Sequence, residues 1–313
     1  MAGNSAARRK RLFDLFVNQP GHDDLTQGKV FWCPLCREPF TCEGTEGDPP
    51  LLTLAHIIPD CQGGTWVTLC CRKCNNKNGG QIERDFLTSQ KISDWMQGRG
   101  TIPVRFGDGK KIKAEMSRDP DRNHIGIRIL TPMQNPAVVA HKEKRINAAA
   151  GESFDLSLPW FREGWWRATV CQSAYLLMFK YFGYDFARCA TYNYLRDQIV
   201  NPDDECPGFM YVELPPQQAA QLLEGKQAGV IFVCGPKNLI LAAMRFSSPG
   251  EHDQFLAVPM PGPGEPPLTD ANLSIGKFCP VLDDIEATGR WRAPFVDEWR
   301  HWLKTSGSQD GKA

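Results

Sequence analysis

The chain has 313 residues, 42% of them hydrophobic, with 17 Phe and 9 Trp, enough for more than one buried core and a length that favours two domains over one. Its 36 basic residues balance 36 acidic ones, which excludes a protein that coats nucleic acid through net charge, so any such contact must rest on local charge. Twelve cysteines in a chain this long do not describe a small disulfide-stapled scaffold.

The N-terminus is polar and carries Arg8-Arg9-Lys10-Arg11 ahead of Leu12-Phe13-Asp14-Leu15-Phe16, which predicts a short helix. It has no apolar core of the kind a signal peptide needs, and no run of about 18 apolar residues occurs anywhere, so no membrane span is expected. A reducing cytoplasm is the expected compartment. The basic run reads equally as a DNA-backbone contact or as a solvated terminus. A cysteine-rich module follows, to about residue 82. Residues 83–98 have helical spacing, with Phe86, Ile92, Trp95 and Met96 as the apolar positions.

Strand signals come next. Residues 102–106 and 112–116 alternate about Gly107-Asp108-Gly109, a hairpin pattern, and 125–129 adds a third strand after a turn-rich stretch. A three-stranded meander is predicted, then a linker between Asn135 and Gly151. From about 152 the texture changes. The strongest helix signal covers 163–182, where Val170, Ala174, Leu177, Met178, Tyr181 and Phe182 recur at three-to-four spacing, with Gly183 as its cap. A second helix is predicted over 188–200, stopped by Asn201-Pro202. Strands are predicted over 210–214, 230–234, 239–246 and 254–259, a Pro/Gly-rich loop over 261–267, a last helix over 294–304, and a disordered tail from Thr305. The expected fold is α+β: a module over 1–100, a β segment and linker over 101–150, and a C-terminal α/β domain over 151–313.

The chemistry concentrates between residues 33 and 79. Two Cys-x-x-Cys pairs, Cys33/Cys36 and Cys71/Cys74, have the spacing that lets two thiolates of one tight turn reach a single metal. Four soft thiolates in a tetrahedron favour zinc over magnesium or calcium. A redox Cys-x-x-Cys comes once rather than as a matched pair. Cys70 adjoins Cys71, and the two-residue gap to Cys74 selects Cys71 as the ligand. Cys42 and Cys61, and Cys171, Cys189, Cys206, Cys234 and Cys279, have no ligand spacing and read as ordinary thiols.

Between the pairs lies Ala55-His56-Ile57-Ile58-Pro59, then Gly63-Gly64. The stretch ending at His56 reads as a short strand, and Cys74-Asn75-Asn76-Lys77 as the opening of a helix, so His56 and Asn75 are expected to face one another across a small cleft. Phosphodiester hydrolysis needs a base for water and a cation on the scissile phosphate. A histidine can take the proton near neutral pH, an amide oxygen such as that of Asn75 suits a hard cation, and Arg72, Lys73 and Lys77 are placed to hold phosphates. Asn75 reads alternatively as a helix N-cap, and His56 as a half-buried residue beside the zinc.

On these motifs, residues 33–79 resemble a zinc-stapled HNH (ββα-metal) endonuclease. The resemblance implies that His56 is the general base, that Asn75 helps hold a catalytic Mg²⁺ or Mn²⁺, and that zinc on Cys33, Cys36, Cys71 and Cys74 is structural. The zinc core spans about 28–82. Two departures stand out: Ala55 occupies the place where the family keeps an acidic first metal ligand, and Trp66 the place of an Asn that orients the base. Asp60, Gln62, Thr65, Thr68 and Asn78 are the polar residues able to stand in.

Elsewhere, Lys110, Lys111 and Lys113 read as a solvent face, Trp160, Trp165 and Trp166 as core, and His252 as part of a charged turn. The C-terminal half is similar in texture to regions attached to HNH modules of bacterial genome-defence and mobile-element proteins, and implies recognition, regulation, a protein partner or an oligomer contact. The expected activity is metal-dependent hydrolysis of DNA. Two other expectations stand beside it, a catalytically degenerate zinc adaptor for nucleic acid or protein and a nuclease acting on RNA.

Overall fold

The computed structural model describes residues 2–20, 29–106, 112–122, 124–129, 140, 156–204, 206, 210–234, 239–247, 253–263, 268 and 277–281. The chain forms two compact units, one of Met1–Glu83 with Gly164–Ala313 and one of Arg84–Glu163. The sequence division at 100 and 150 follows composition; the contacts instead place the long C-terminal segment in the same unit as the cysteine module.

In the first unit, α1 (Ala2–Val17) precedes a small hairpin, β1 (Phe31–Trp32) with β2 (Pro39–Phe40). A second hairpin joins β3 (Leu52–His56) to β4 (Val67–Cys71), with Leu52 opposite Cys71 and His56 opposite Val67. Helix α2 (Arg72–Lys77) follows β4 directly and passes through a π turn (Asn78–Ile82) into α3 (Glu83–Met96). The helix therefore starts at Arg72, ahead of the Cys74 start read from sequence, and Asn75 lies inside it rather than at its N-cap.

The predicted helix over 163–182 is observed as α4 (Glu163–Ala187), broken at Gly183, whose φ of 57° and ψ of −135° leave the helical region. Nearly every residue of α4 from Ala168 to Phe182 is buried. A helix apolar all round must be covered all round, and its neighbours supply that cover. Phe179 stacks on Phe16 of α1 with ring centroids 4.5 Å apart, and Phe31 and Tyr184 join the same aromatic cluster. Phe182 stacks on Phe232 of the C-terminal sheet. Each fully buried Phe contributes about 1.5–3 kcal/mol, which makes α4 the shared core of the unit.

That sheet holds β9 (Val212–Glu213), β10 (Ala228–Cys234), β11 (Leu239–Ser247), β12 (Asp253–Pro261) and β13 (Lys277–Val281) in the order β13-β10-β11-β12-β9, every pair antiparallel. The expected α/β domain is thus corrected to an antiparallel layer with helices against it. The β10–β11 and β11–β12 connections are too short for the crossover a parallel pair needs. Helix α5 (Asn193–Val200) ends where predicted but starts later than residue 188, after a 3-10 turn over Ala190–Tyr192, while α6 (Pro216–Leu223) escaped the sequence reading. Ala219 and Leu223 of α6 pack on Ile231, Val233, Leu241 and Ala257 of the sheet.

The second unit carries most of α3 with β5 (Thr101–Phe106), β6 (Ile112–Asp119), β7 (His124–Ile129) and β8 (Leu156–Ser157), in the order β7-β6-β5-β8. The predicted meander is present. Its buried residues Ile102, Val104, Ala114 and Met116 pack with Trp95 of α3, as the two-residue period of a strand dictates. Trp160, expected in a core, is 78% exposed. Trp165 is buried and donates its indole N–H to Asp203. The predicted helix over 294–304, the tail, most of the 135–151 linker, Lys110, Lys111 and His252 lie outside the described residues.

No described helix is long and apolar enough to cross a membrane.

Candidate metal centre and adjoining cleft

The first knuckle is a tight turn. Cys33 N–H donates to Glu38 O, and Arg37 N–H donates to Cys33 O at 2.8 Å. Arg37 sits at φ 59°, and its guanidinium donates to Ala187 O and to Asn193 Oδ1 (2.8 Å), so the start of α5 and the end of α4 hold the turn. Tyr175 Oη donates to Pro34 O, Trp32 N–H donates to Tyr184 Oη at 2.8 Å, and Tyr184 Oη donates to Trp32 O. The second knuckle is the junction of β4 and α2, where Cys74 N–H donates to Cys71 Sγ.

The two knuckles meet. The sulfurs of Cys33, Cys36, Cys71 and Cys74 all lie within 4.8 Å of one another, and Cys36 Sγ is 3.7 Å from Cys71 Sγ. Sulfurs on a tetrahedral zinc at about 2.3 Å are about 3.8 Å apart, so this donor set can hold a structural metal ion such as zinc. A fifth thiol is present: Cys70 is fully buried with its Sγ 3.6 Å from that of Cys33. Neighbouring thiols, Cys33 first, then Cys70 and Cys74, pull the pKa of Cys71 down. The thiol of Cys36 is pushed up by its hydrogen bond with Cys33 and by burial. Cys70 is pushed up by its bonds with Cys33, Cys71 and Cys74 and by burial. Cys42 and Cys61 lie outside the cluster.

His56 lies at the other end of the same hairpin. His56 is the last residue of β3, with its side chain 39% exposed, and its Nε2 is 3.9 Å from Asp60 Oδ1. The turn that follows is closed by Ile57 N–H to Trp66 O, Gln62 N–H to Pro59 O and Gly64 N–H to Pro59 O. Gly64 is obligatory here, since a Cβ at that position would sit 1.8 Å from Ile58 O. Gln227 holds the far side of the turn: its amide donates to Gly63 O at 2.7 Å and accepts from Thr65 N–H.

Asn75 reaches β3 from α2, its amide donating to Thr53 Oγ1 (3.1 Å) and to Leu54 O. In the observed register Leu54 faces a non-hydrogen-bonded partner, Leu69, so its carbonyl points to the open strand edge and Asn75 satisfies it. The amide nitrogen is thereby committed, and Oδ1 has no partner among the described residues. On the opposite edge Lys180 of α4, itself buried, donates to Val67 O at 2.9 Å.

The expected phosphate-binding cations all have partners within the protein. Arg72 donates to Pro49 O, Lys73 pairs with Glu38 at 3.7 Å, and Lys77 donates to Val200 O at 2.9 Å. Ala55 is buried, and so are the candidate substitutes Gln62 and Thr68, whose side-chain polar atoms have no hydrogen-bond partner among the described residues. Trp66 packs against Tyr181. Asp60 is the substitute that stays exposed beside His56. Glu83, which sequence reasoning passed over as a helix start, belongs with it: its carboxyl is pushed up by burial and then by the charge of Asp60. β4, α2 and the π turn separate the two acids in sequence, so only the fold couples their charges.

No family model, no curated protein and no solved structure matches this chain.

Proposed function

We propose that the chain is a metal-dependent endonuclease of the HNH kind, hydrolysing DNA phosphodiester bonds at the His56 cleft. The observation that carries this reading is the order β3, β4, α2, with a half-exposed His56 closing the first strand and Asn75 on the helix presenting an uncommitted Oδ1. At 3.9 Å the Asp60 carboxylate is too far from Nε2 for a direct hydrogen bond. His56 takes the proton of the attacking water on its imidazole. Asn75 Oδ1 would hold a divalent cation such as Mg²⁺ or Mn²⁺, which would neutralise the charge that develops on the phosphate. The zinc-stapled turn fixes α2 against β3 and so fixes Asn75 relative to His56.

A second reading, a zinc module that binds without cutting, is favoured by the engaged state of Arg72, Lys73 and Lys77 and by the buried Ala55. Plasmid cleavage by the full chain with Mg²⁺ or Mn²⁺, beside His56→Ala, separates the two. The expected result is nicking or cutting that falls roughly 10²- to 10⁴-fold in the variant, the usual contribution of a general base. Cleavage that survives His56→Ala removes the base assignment; no cleavage with any divalent metal leaves the binding module, and a preference for RNA changes the substrate.

A further inference from the structure

The spacing of Cys-x-x-Cys pairs selects four ligands, but the fold brings five thiols together. The sulfurs of Cys33, Cys36, Cys71 and Cys74 lie within 4.8 Å of one another, with Cys36 Sγ 3.7 Å from Cys71 Sγ. Cys70 Sγ lies 3.6 Å from Cys33 Sγ, and Cys70 is the chain neighbour of Cys71, so a fifth thiol adjoins the set through two of its members. The two closest measured approaches, 3.6 Å for Cys33–Cys70 and 3.7 Å for Cys36–Cys71, both fit the edge of about 3.8 Å of a zinc–thiolate tetrahedron.

Along a regular strand Cys70 and Cys71 would face opposite sides. Cys71 is the last residue of β4, and the backbone turns into α2 at the next residue, so strand alternation does not hold the two sulfurs on opposite faces, and Cys70 Sγ reaches that of Cys33. Burial distinguishes the two outer thiols. Cys70 is wholly enclosed, whereas Cys36 is half-exposed at the tip of its knuckle.

The geometry points to a five-thiol metal centre in which Cys33, Cys71 and Cys74 are constant ligands of a zinc-class ion and Cys36 and Cys70 are interchangeable fourth ligands. With Cys36 as the fourth ligand, both knuckles would hold the ion. With Cys70 in its place, four thiolates would still hold it and Cys36 would be released as an accessible thiol. Such a centre tolerates modification of its exposed cysteine without losing its metal. The inference rests on the metal centre alone and stands or falls independently of DNA cleavage.

The test uses the full chain and its Cys36→Ser, Cys70→Ser and double variants, loaded with zinc and, in parallel, with cobalt(II). Native mass spectrometry should find about one zinc per chain in wild type and in both single variants. The double variant should bind at least tenfold more weakly. The thiolate-to-cobalt charge-transfer band of Cys36→Ser should keep the intensity of a four-sulfur site. If Cys36→Ser loses metal as fully as the double variant, Cys70 is not a ligand and the proposal fails. If the double variant binds as tightly as wild type, neither residue is a ligand and it fails equally. Should the variants not fold, alkylation of zinc-loaded wild type with iodoacetamide decides: modification of Cys36 with zinc retained is expected, and zinc lost in step with Cys36 modification overturns the idea.

Discussion

The cysteine cluster and the His56 cleft occupy opposite ends of one hairpin, and they are held in different ways. The cluster is enclosed and fixed from several sides: two knuckles, the Arg37 clamp onto α4 and α5, and Tyr175 and Tyr184 from α4. The cleft is open. His56 has a single loose carboxylate neighbour, and Asn75 is braced through one amide nitrogen. A cluster enclosed on several sides excludes water and fills its contacts, whereas the His56 end leaves a histidine and an amide oxygen uncommitted.

Perturbations at the two ends should therefore differ in kind. Stripping the metal with a strong chelator should have the largest effect. Structural zinc sites supply on the order of 10 kcal/mol of apparent binding energy that is also folding energy. Differential scanning calorimetry should show the first unit melting far lower or not at all cooperatively, and an unchanged transition would break the contrast. Lys180→Met should come next. It removes the buried donor to Val67 O and leaves a carbonyl unpaired at the strand edge opposite His56, at a cost of about 1–3 kcal/mol by urea denaturation. His56→Ala should change stability by no more than about 0.5 kcal/mol, as exposed positions do, while removing the activity proposed for it; a large loss of stability would make His56 part of the scaffold.

The smallest effect concerns Glu83. Burial, and then the charge of Asp60, raise its pKa above the ordinary 4.5. A carboxyl whose folded-state pKa is raised opposes folding once ionised, so stability falls as pH rises from about 4.5 through the folded value. Glu83→Gln removes that cost. The variant should melt slightly higher than wild type at pH 7, and the gain should vanish near pH 4. A gain that persists in acid would place its origin elsewhere than in the carboxylate charge.

Much of the local structure was legible without coordinates. Helix α4, the meander of β5 to β7, and the strands β10 to β12 follow from apolar periodicity, because a period of 3.6 or 2 is written into neighbouring residues. Helix α6 was hidden behind Pro215-Pro216, which reads as a break although Pro216 stands at the first turn, where proline is tolerated. Trp160 shows the reverse error: a large aromatic residue invites a core assignment, yet its position after β8 leaves it in solvent.

By itself the sequence determined the pairing of the two knuckles and the place of His56 at a strand end, because ligand spacing and a strand ending before proline depend on residues close along the chain. Tertiary structure alone decided that α4 buries itself between the cysteine module and the C-terminal sheet. It alone placed Asp60 beside His56 and engaged Lys77 with Val200. It alone set Cys70 Sγ beside that of Cys33. Those relations join residues separated by a turn, a π helix or most of the chain, and only packing can bring such groups within a few ångströms.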